Sequence, residues 1–268
     1  MPPLYLPSQR SRAITLQPDR IFLWQLGVIA LLMLGHWIGL QGYLQGLIAH
    51  ERFVSQYLDL NGEGTPAAYF SALSLLATAL VAWFLSANAD QKADRRFWGL
   101  TALLLAFFSL DEAVSVHEGF VVIGERFLPR EGIFFFAWWA PYLLALAPLL
   151  AVLVPGLLRL APSTRWSLVI GGALFVTGAL GMELAESEIA ARAVTHPPGS
   201  PYYEMLYRQI DWLVLAEECL EMVGVAIVLR GLLIHAGRHA PPAAVAVAPE
   251  TRRRVAQHAA DAPLHGPS

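Results

Sequence analysis

The sequence predicts an all-α membrane protein, a bundle of about six transmembrane helices, from three observations. Of the 268 residues, 56% are hydrophobic and only 15% are charged, whereas soluble domains carry about 25% charged residues. The mean hydropathy is +0.50. The apolar residues also form long blocks, and six of these blocks reach the roughly 20 residues needed to cross a bilayer core of about 30 Å. Because lipid cannot satisfy backbone polar groups, blocks of this length are expected to be helices.

The six blocks define one predicted transmembrane domain, residues 21–236, with a terminal segment on each side. The first block is too long for a signal-peptide core, so a retained helix is expected. Residues 1–20 are predicted as a cytoplasmic segment. Residues 237–268 are predicted as a disordered cytoplasmic tail, because they are rich in Ala and Pro and lack a periodic apolar face. The predicted spans are 21–48, 67–87, 97–124, 133–158, 166–190 and 211–236.

The fourth and fifth spans carry features of architecture rather than of chemistry. The fourth begins with "IFFFAWWAPY", whose aromatic residues are expected at the outer headgroup level as part of an aromatic belt. The fifth contains Gly171, Gly178 and Gly181. Small residues at such positions let two helix backbones approach closely, so close packing is predicted there.

The distribution of Lys and Arg predicts the orientation of the helices. Thirteen of these residues fall in the terminal segments and alternate loops that share one side, and five fall on the other side. Cytoplasmic loops carry the excess of positive charge. Both termini are therefore predicted to be cytoplasmic, and loops 49–66, 125–132 and 191–210 are predicted to face outward.

Ionisable side chains inside three spans are the main indication of function. The stretch "FFSLDEAVSVHEGF" brings acids and a histidine into the third span, "GMELAESE" brings acids into the fifth, and "AEECLEMVG" into the sixth. At 1.5 Å per residue, all of them fall in the predicted outer half of the membrane. A charge at mid-membrane costs at least ~2.5–3.5 kcal/mol on insertion scales, so such residues usually face the bundle interior and mark a functional site.

A divalent-metal site explains this concentration of acids best. Bare carboxylates packed together repel one another, and a bound cation relieves the repulsion. Helix bundles hold iron or manganese through carboxylates and His from facing helices, and zinc accepts the same donors. The candidate ligands are Asp111, His117, Glu118, Glu183, Glu186, Glu217 and Glu218. Glu112 and Glu221 are candidate general acids or bases, with His36 and Glu63 as possible accessory residues.

Three functions remain open on these residues. The first is a membrane-embedded metalloenzyme that acts on a lipid-like substrate from the outer leaflet. The second is a proton or cation transporter, which requires a polar path to the cytoplasm, although the inner halves of the third, fifth and sixth spans are apolar. The third is a non-catalytic assembly subunit whose acids form a structural network between helices.

Charge and cysteine content narrow the remaining classes of protein. The net charge of −3 gives no indication of nucleic-acid binding, and the lipid bilayer is the only partner that the composition implies. The single cysteine, Cys219, excludes an internal disulfide and a metal cage built from cysteines. The oligomeric state is left open.

Three motifs resemble the signature of a widespread group of uncharacterised bacterial multi-pass membrane proteins. They are "LDLNGEGTPAAYFSALSLL", "FFSLDEAVSVHEGF" and "AEECLEMVG". The resemblance covers the second, third and sixth predicted spans, about a third of the chain. The resemblance implies a shared topology with a polar core, in the plasma (inner) membrane, but no reaction. A looser similarity is to membrane hydrolases of the alkaline ceramidase type, which hold zinc through several His and an Asp. This sequence offers Asp111 and His117 and lacks the clustered His residues.

Overall fold

Long apolar helices make up nearly all of the computed structural model, which describes residues 15–45, 57–62, 64–239 and 246–247. The helices are α1 (Pro18–Leu44), α2 (Pro66–Ala87), α3 (Lys92–Val114), α4 (Val116–Gly124), α5 (Trp139–Arg159), α6 (Pro162–Val176), α7 (Glu183–Ala193) and α8 (Pro201–His239). A 3₁₀ turn covers Gly132–Phe134, and a π-helical turn, Thr177–Met182, joins α6 to α7. Two two-residue strands, β1 (Thr15–Leu16) and β2 (Ala246–Val247), pair in parallel.

In the described part of the chain, six helical stretches are long and apolar enough to cross a membrane, which confirms the predicted all-α fold class. They are α1, α2, α3, α5, the continuous rod of α6 and α7, and α8. Two of the predicted spans are interrupted within their length, and both interruptions shape the site. The third span, predicted as one helix over 97–124, is interrupted at Ser115, and the fifth contains the π-helical turn.

The start of α1 and the end of α8 lie at the same end of the bundle, here called the terminal end. The Arg230 guanidinium on α8 donates to Asp19 of α1 over 2.6 Å at this end. The other end, here called the loop end, holds the start of α2 and the 3₁₀ turn. Thr65 caps α2 there by accepting from the backbone N–H of Ala68 at 3.3 Å.

Glycines bring α6 and α8 into backbone contact. A Cβ on Gly171 would lie 2.5 Å from the carbonyl oxygen of Gly224, and a Cβ on Gly224 would lie equally close to the carbonyl oxygen of Gly171. No side chain larger than hydrogen fits between backbones at that distance. The close packing predicted from the glycines of the fifth span is therefore present at Gly171.

Several predicted features lie outside the described residues. They include Glu63, most of the N-terminal segment, residues 49–56 of the loop 49–66 and the greater part of the tail after His239. The predictions made for them stay predictions.

Candidate functional site

A break in the third transmembrane segment creates the first part of the site. Ser115 separates α3 from α4 and adopts a left-handed conformation, with φ 47° and ψ 50°. Such a conformation is strained for a residue with a side chain, and strained residues cluster at functional sites. The carboxylate of Asp111 stabilises the break, because its Oδ1 accepts from the backbone N–H of His117 at 2.7 Å and so caps the start of α4.

The same break changes the direction of the side chains that follow it. A continuous helix would place Glu118 almost directly above Asp111, since the two are seven residues apart. In the structure Glu118 is exposed, while Asp111 is partly buried. Glu118 therefore stands at the edge of the site and not beside Asp111.

Asp111 also holds the imidazole of His117. Its Oδ1 lies 3.3 Å from Nδ1 of His117 and accepts a hydrogen bond from the Tyr142 hydroxyl at 3.0 Å. The Asp111 side chain is 14% exposed and that of His117 is 35% exposed, so the pair is anchored inside and open on one side. A carboxylate on one ring nitrogen fixes the orientation of an imidazole and leaves the other nitrogen for chemistry.

Trp138, just before α5, connects this pair to the acids of α7. Its ring lies 5.0 Å from the His117 ring and meets Tyr142 edge-on at 5.2 Å. Its indole N–H donates to Oε1 of Glu183 at 3.1 Å. One aromatic side chain thus separates the histidine from the carboxylates.

The π-helical turn determines how α7 approaches α8. It ends at Met182, directly before Glu183, and π-helical turns inside α-helices are frequent at functional sites. Gly178 in this turn lies against α8, where a Cβ would come within 2.8 Å of the Glu217 carbonyl oxygen and 2.7 Å of Cγ of Glu221. The absence of a side chain at Gly178 lets the acids of the two helices meet.

Three carboxylates from these helices converge closely enough to bind a metal ion. One oxygen from each of Glu183, Glu186 and Glu217 lies within 4.8 Å of the others. Glu186 is only 5% exposed, and its Oε1 has no hydrogen-bond partner. A buried carboxylate oxygen without a donor is costly, and a cation would remove that cost.

Further acids extend the cluster towards α2 and α3. Glu218 and Glu221 interact electrostatically with Glu112, and Glu218 also with Glu186. Glu112 in turn lies beside the hydroxyl group of Ser71 on α2. We use the term acidic centre for the seven carboxylates Asp111, Glu112, Glu183, Glu186, Glu217, Glu218 and Glu221.

The acidic centre receives no positive charge from Lys or Arg ion pairs in the described part of the chain. The arginines that form ion pairs do so with Asp19, Asp94, Glu125 and Glu188. His117 is the one basic side chain that forms an ion pair with a member of the centre within these residues. Seven carboxylates beside one imidazole require bound cations, bound protons or both.

The accessory residue His36 lies near the edge of the centre. Its Nδ1 accepts from the backbone N–H of Leu60 at 3.1 Å and is 3.7 Å from Oδ1 of Asp59. Asp59 interacts electrostatically with Glu218. His36 is thus connected to the centre through Asp59 and not by direct contact with the three converging carboxylates.

Most of the predicted site residues are therefore brought together, and three contributors were missed by sequence analysis. Trp138 and Tyr142 form hydrogen bonds to members of the centre, and the Ser71 hydroxyl lies beside Glu112. Trp138 and Tyr142 belong to the stretch interpreted as an aromatic belt. Their four-residue spacing, which places both on one helix face, was the available signal.

Comparison with known proteins identifies the family of this chain, and that family has no assigned activity. A family model described as "Domain of unknown function (DUF8692)" matches residues 23–236, a range that covers all but the first residues of α1 and the last residues of α8 and contains the whole acidic centre. No curated protein and no solved structure matches the chain.

Proposed function

The chain belongs to the DUF8692 family, and from the geometry of its acidic centre we propose that it is a membrane-embedded enzyme with a divalent-metal site. We also propose that this enzyme acts on a lipid-like substrate. The observation that carries it is the convergence of Glu183, Glu186 and Glu217, with the buried Oε1 of Glu186 left without a hydrogen-bond donor.

The donor set favours a hard metal ion. The three converging groups are all carboxylates, and carboxylate oxygens suit manganese, magnesium or calcium better than zinc. Iron(II) also binds carboxylates in helix bundles. Of the metals predicted from the sequence, manganese and iron therefore fit this group better than zinc. Such an ion would polarise a carbonyl or phosphoryl oxygen of a substrate.

The pair Asp111 and His117 would supply a general base beside the metal. Asp111 fixes the imidazole, and Trp138 contacts both His117 and the ligand Glu183. The reaction supported by a polarising cation next to an oriented imidazole is hydrolysis or group transfer. Glu112 and Glu221 remain candidates for a second acid or base.

Access from the membrane supports a lipid-like substrate. The His117 side chain is 35% exposed, and its neighbour Val114 has 59% of its surface exposed although it is apolar. In a transmembrane segment such apolar exposure faces lipid. An ester or phosphate at the headgroup level could therefore approach His117 from the bilayer.

Metal content tests the proposed site. The detergent-purified protein is loaded with Mn²⁺, desalted and measured by elemental analysis beside Glu186→Gln and Glu188→Gln. Wild type is expected to retain about one or two ions per chain, as carboxylate sites of bundles do. Glu186→Gln should lose them. Glu188→Gln is the matched control on the same helix, because Glu188 pairs with Arg192 outside the centre.

The proposed enzyme activity on lipids needs a separate measurement. Metal-loaded protein is incubated with a total bacterial lipid extract, and the products are compared by mass spectrometry with and without a chelator. We expect a lipid conversion that stops on chelation and in His117→Ala. Absence of retained Mn²⁺ in wild type, or full retention in Glu186→Gln, would refute the metal site; retained metal without any lipid conversion would refute the enzyme.

A further inference from the structure

Two histidines lie one helical turn apart near the end of α8. The ring centres of His235 and His239 are 4.2 Å apart, and the ring planes are inclined by 28°. Two imidazoles that share one metal ion through Nε2, at ~2.0–2.1 Å, have their ring centres roughly 4–5 Å apart. A separation of four residues on a helix is also the spacing of the two zinc ligands in H-E-x-x-H. The two rings therefore have the spacing of a two-histidine metal site.

A backbone hydrogen bond fixes which nitrogen of His239 is available. Its Nδ1 lies 2.9 Å from the carbonyl oxygen of His235. A carbonyl oxygen only accepts, so Nδ1 carries the proton and Nε2 keeps its lone pair. Histidines that bind a metal almost always donate their other ring N–H to an oxygen in this way. The His239 side chain is exposed, so an ion from the medium can approach it.

Thr164 of α6 has the corresponding position beside His235. Its Oγ1 lies 3.2 Å from Nδ1 of His235, and the two residues are 2% and 8% exposed. A hydroxyl group accepts as well as donates, so Nδ1 can donate to Thr164 and leave the lone pair on Nε2. The ring of Trp98 lies 5.1 Å from the His235 ring and supports it from another side. Among the hydrogen bonds of the described residues, those of both rings use Nδ1.

We propose that His235 and His239 bind a divalent transition-metal ion, Zn²⁺ or Cu²⁺, through their Nε2 atoms, with water molecules completing the coordination. Imidazole suits zinc and copper, whereas carboxylates suit harder ions such as manganese. The site is separate from the acidic centre, because His235 follows Glu217 on α8 by a distance of roughly 27 Å along the helix. It therefore does not depend on the proposed enzyme activity.

A bound ion at this place strengthens the contact between the start of α6 and the end of α8. With the metal on Nε2, Nδ1 of His235 must carry the proton, and it donates to Thr164 across the two helices. The Arg238 guanidinium joins the same helix ends, since it donates to Oγ of Ser163 over 2.9 Å. An ion that binds only the folded protein stabilises it. Zn²⁺ should therefore raise the unfolding temperature of the protein in detergent.

Electron paramagnetic resonance with Cu²⁺ tests the proposed ligands, because imidazole nitrogens split the copper signal. The full chain is purified without a polyhistidine tag and carries Glu186→Gln, so that the proposed carboxylate site does not compete. One equivalent of Cu²⁺ should give a spectrum with two coupled nitrogens. His239→Ala should leave one coupled nitrogen at most and lower the affinity for Cu²⁺ by about tenfold or more.

Three further variants separate metal binding from folding. His235→Asn keeps an N–H group near the place of Nδ1 but has no Nε2, so it should also lose the two-nitrogen signal. Thr164→Val should keep that signal and bind about tenfold more weakly, as expected when the oxygen behind a ligand is removed. His196→Ala is the matched control, because His196 contacts Tyr202 between α7 and α8, at the other end of α8; its affinity should equal that of the parent.

The outcome in His239→Ala decides the proposal, since this residue is exposed and its loss does not disturb the core. An unchanged Cu²⁺ spectrum in His239→Ala, an equal loss in His196→Ala, or a parent spectrum without nitrogen splitting would overturn it. The same holds if Zn²⁺ raises the unfolding temperature of His239→Ala as much as that of the parent. Retention of Mn²⁺ at the acidic centre is measured separately, so either site can fail without the other.

Discussion

Asp111 joins three parts of the chain through one oxygen atom. Its Oδ1 accepts from the backbone of His117 and from the hydroxyl of Tyr142 on α5, and it also lies within reach of the His117 ring. A carboxylate with this many donors acts first as a positioning group for His117. Its predicted role as a metal ligand stays a prediction, since the converging carboxylates are those of α7 and α8.

The contribution of the Tyr142–Asp111 hydrogen bond to stability can be measured by removing the Tyr142 hydroxyl. We expect Tyr142→Phe to lower the free energy of unfolding in detergent by about 1.5–3 kcal/mol, the usual contribution of a hydrogen bond to a charged group. Tyr142 is 7% exposed, so water cannot readily replace the lost donor. The measurement is denaturant-induced unfolding of the purified protein, followed by tryptophan fluorescence.

Tyr69→Phe is the control for that measurement. Tyr69 is 65% exposed on α2, and the same chemical change there should shift the free energy by less than about 0.5 kcal/mol. Equal losses in both variants would mean that the Tyr142 hydroxyl contributes nothing specific to the site.

The acids of the centre were predictable from the sequence, and their hydrogen-bond partners were not. A charged residue within an apolar block is conspicuous, because lipid penalises it wherever it points outward. Tyr142 and Trp138 offered only their four-residue spacing, which does not identify a site because aromatic residues near a helix end are equally typical of the membrane interface. Ser71 is likewise indistinguishable from a small packing residue until Glu112 is seen beside it.

Among the helices, the contact between α6 and α8 carries the acidic centre. Gly171 and Gly224 bring the two backbones together, and Phe175 lies one turn further along α6, shortly before the π-helical turn begins at Thr177. Gly178 in that turn has no side chain and so leaves room for the acids of α8. The glycines of the fifth span predicted the close approach. Nothing in the sequence distinguished the π-helical turn from ordinary helix, because both have the same composition and differ by one residue in their hydrogen-bond pattern.

Adjacent glycines of α6 allow this contact to be tested. Gly171→Ala should destabilise the protein by about 1–3 kcal/mol, the usual cost of overpacking. The new methyl group would lie 2.5 Å from the Gly224 carbonyl oxygen. Gly172→Ala meets nothing within 4 Å, and the better helix propensity of Ala should leave stability unchanged or raise it by up to about 1 kcal/mol. Thermal unfolding in detergent measures both.

The Mn²⁺ content of these two variants connects the helix contact to the site. If α6 moves away from α8, Gly171→Ala should retain less metal than Gly172→Ala, because Glu217 lies on α8 and Glu183 follows α6. Equal stability of the two variants would show that the glycine contact does not hold the helices together.

For the whole molecule, hydropathy was sufficient to predict six helices long and apolar enough to cross a membrane. The six blocks correspond to six such helices in the described part of the chain, as expected if each must satisfy its own backbone within a bilayer. The break at Ser115 was not predictable from hydropathy, since α3 and α4 are both apolar and the interruption depends on Asp111 capping the start of α4. The excess of Lys and Arg predicts which end of the bundle faces the cytoplasm.

Topology reporters test that orientation. With six crossings, a green fluorescent protein fused after Ser268 should fluoresce and an alkaline phosphatase at the same position should stay inactive, since the terminal end is predicted to be cytoplasmic. Alkaline phosphatase inserted at Arg130, between α4 and α5, should be active. This arrangement would place the acidic centre nearer the outer leaflet. An active phosphatase after Ser268 would reverse the assignment, so that the acidic centre and His117 would lie nearer the inner leaflet.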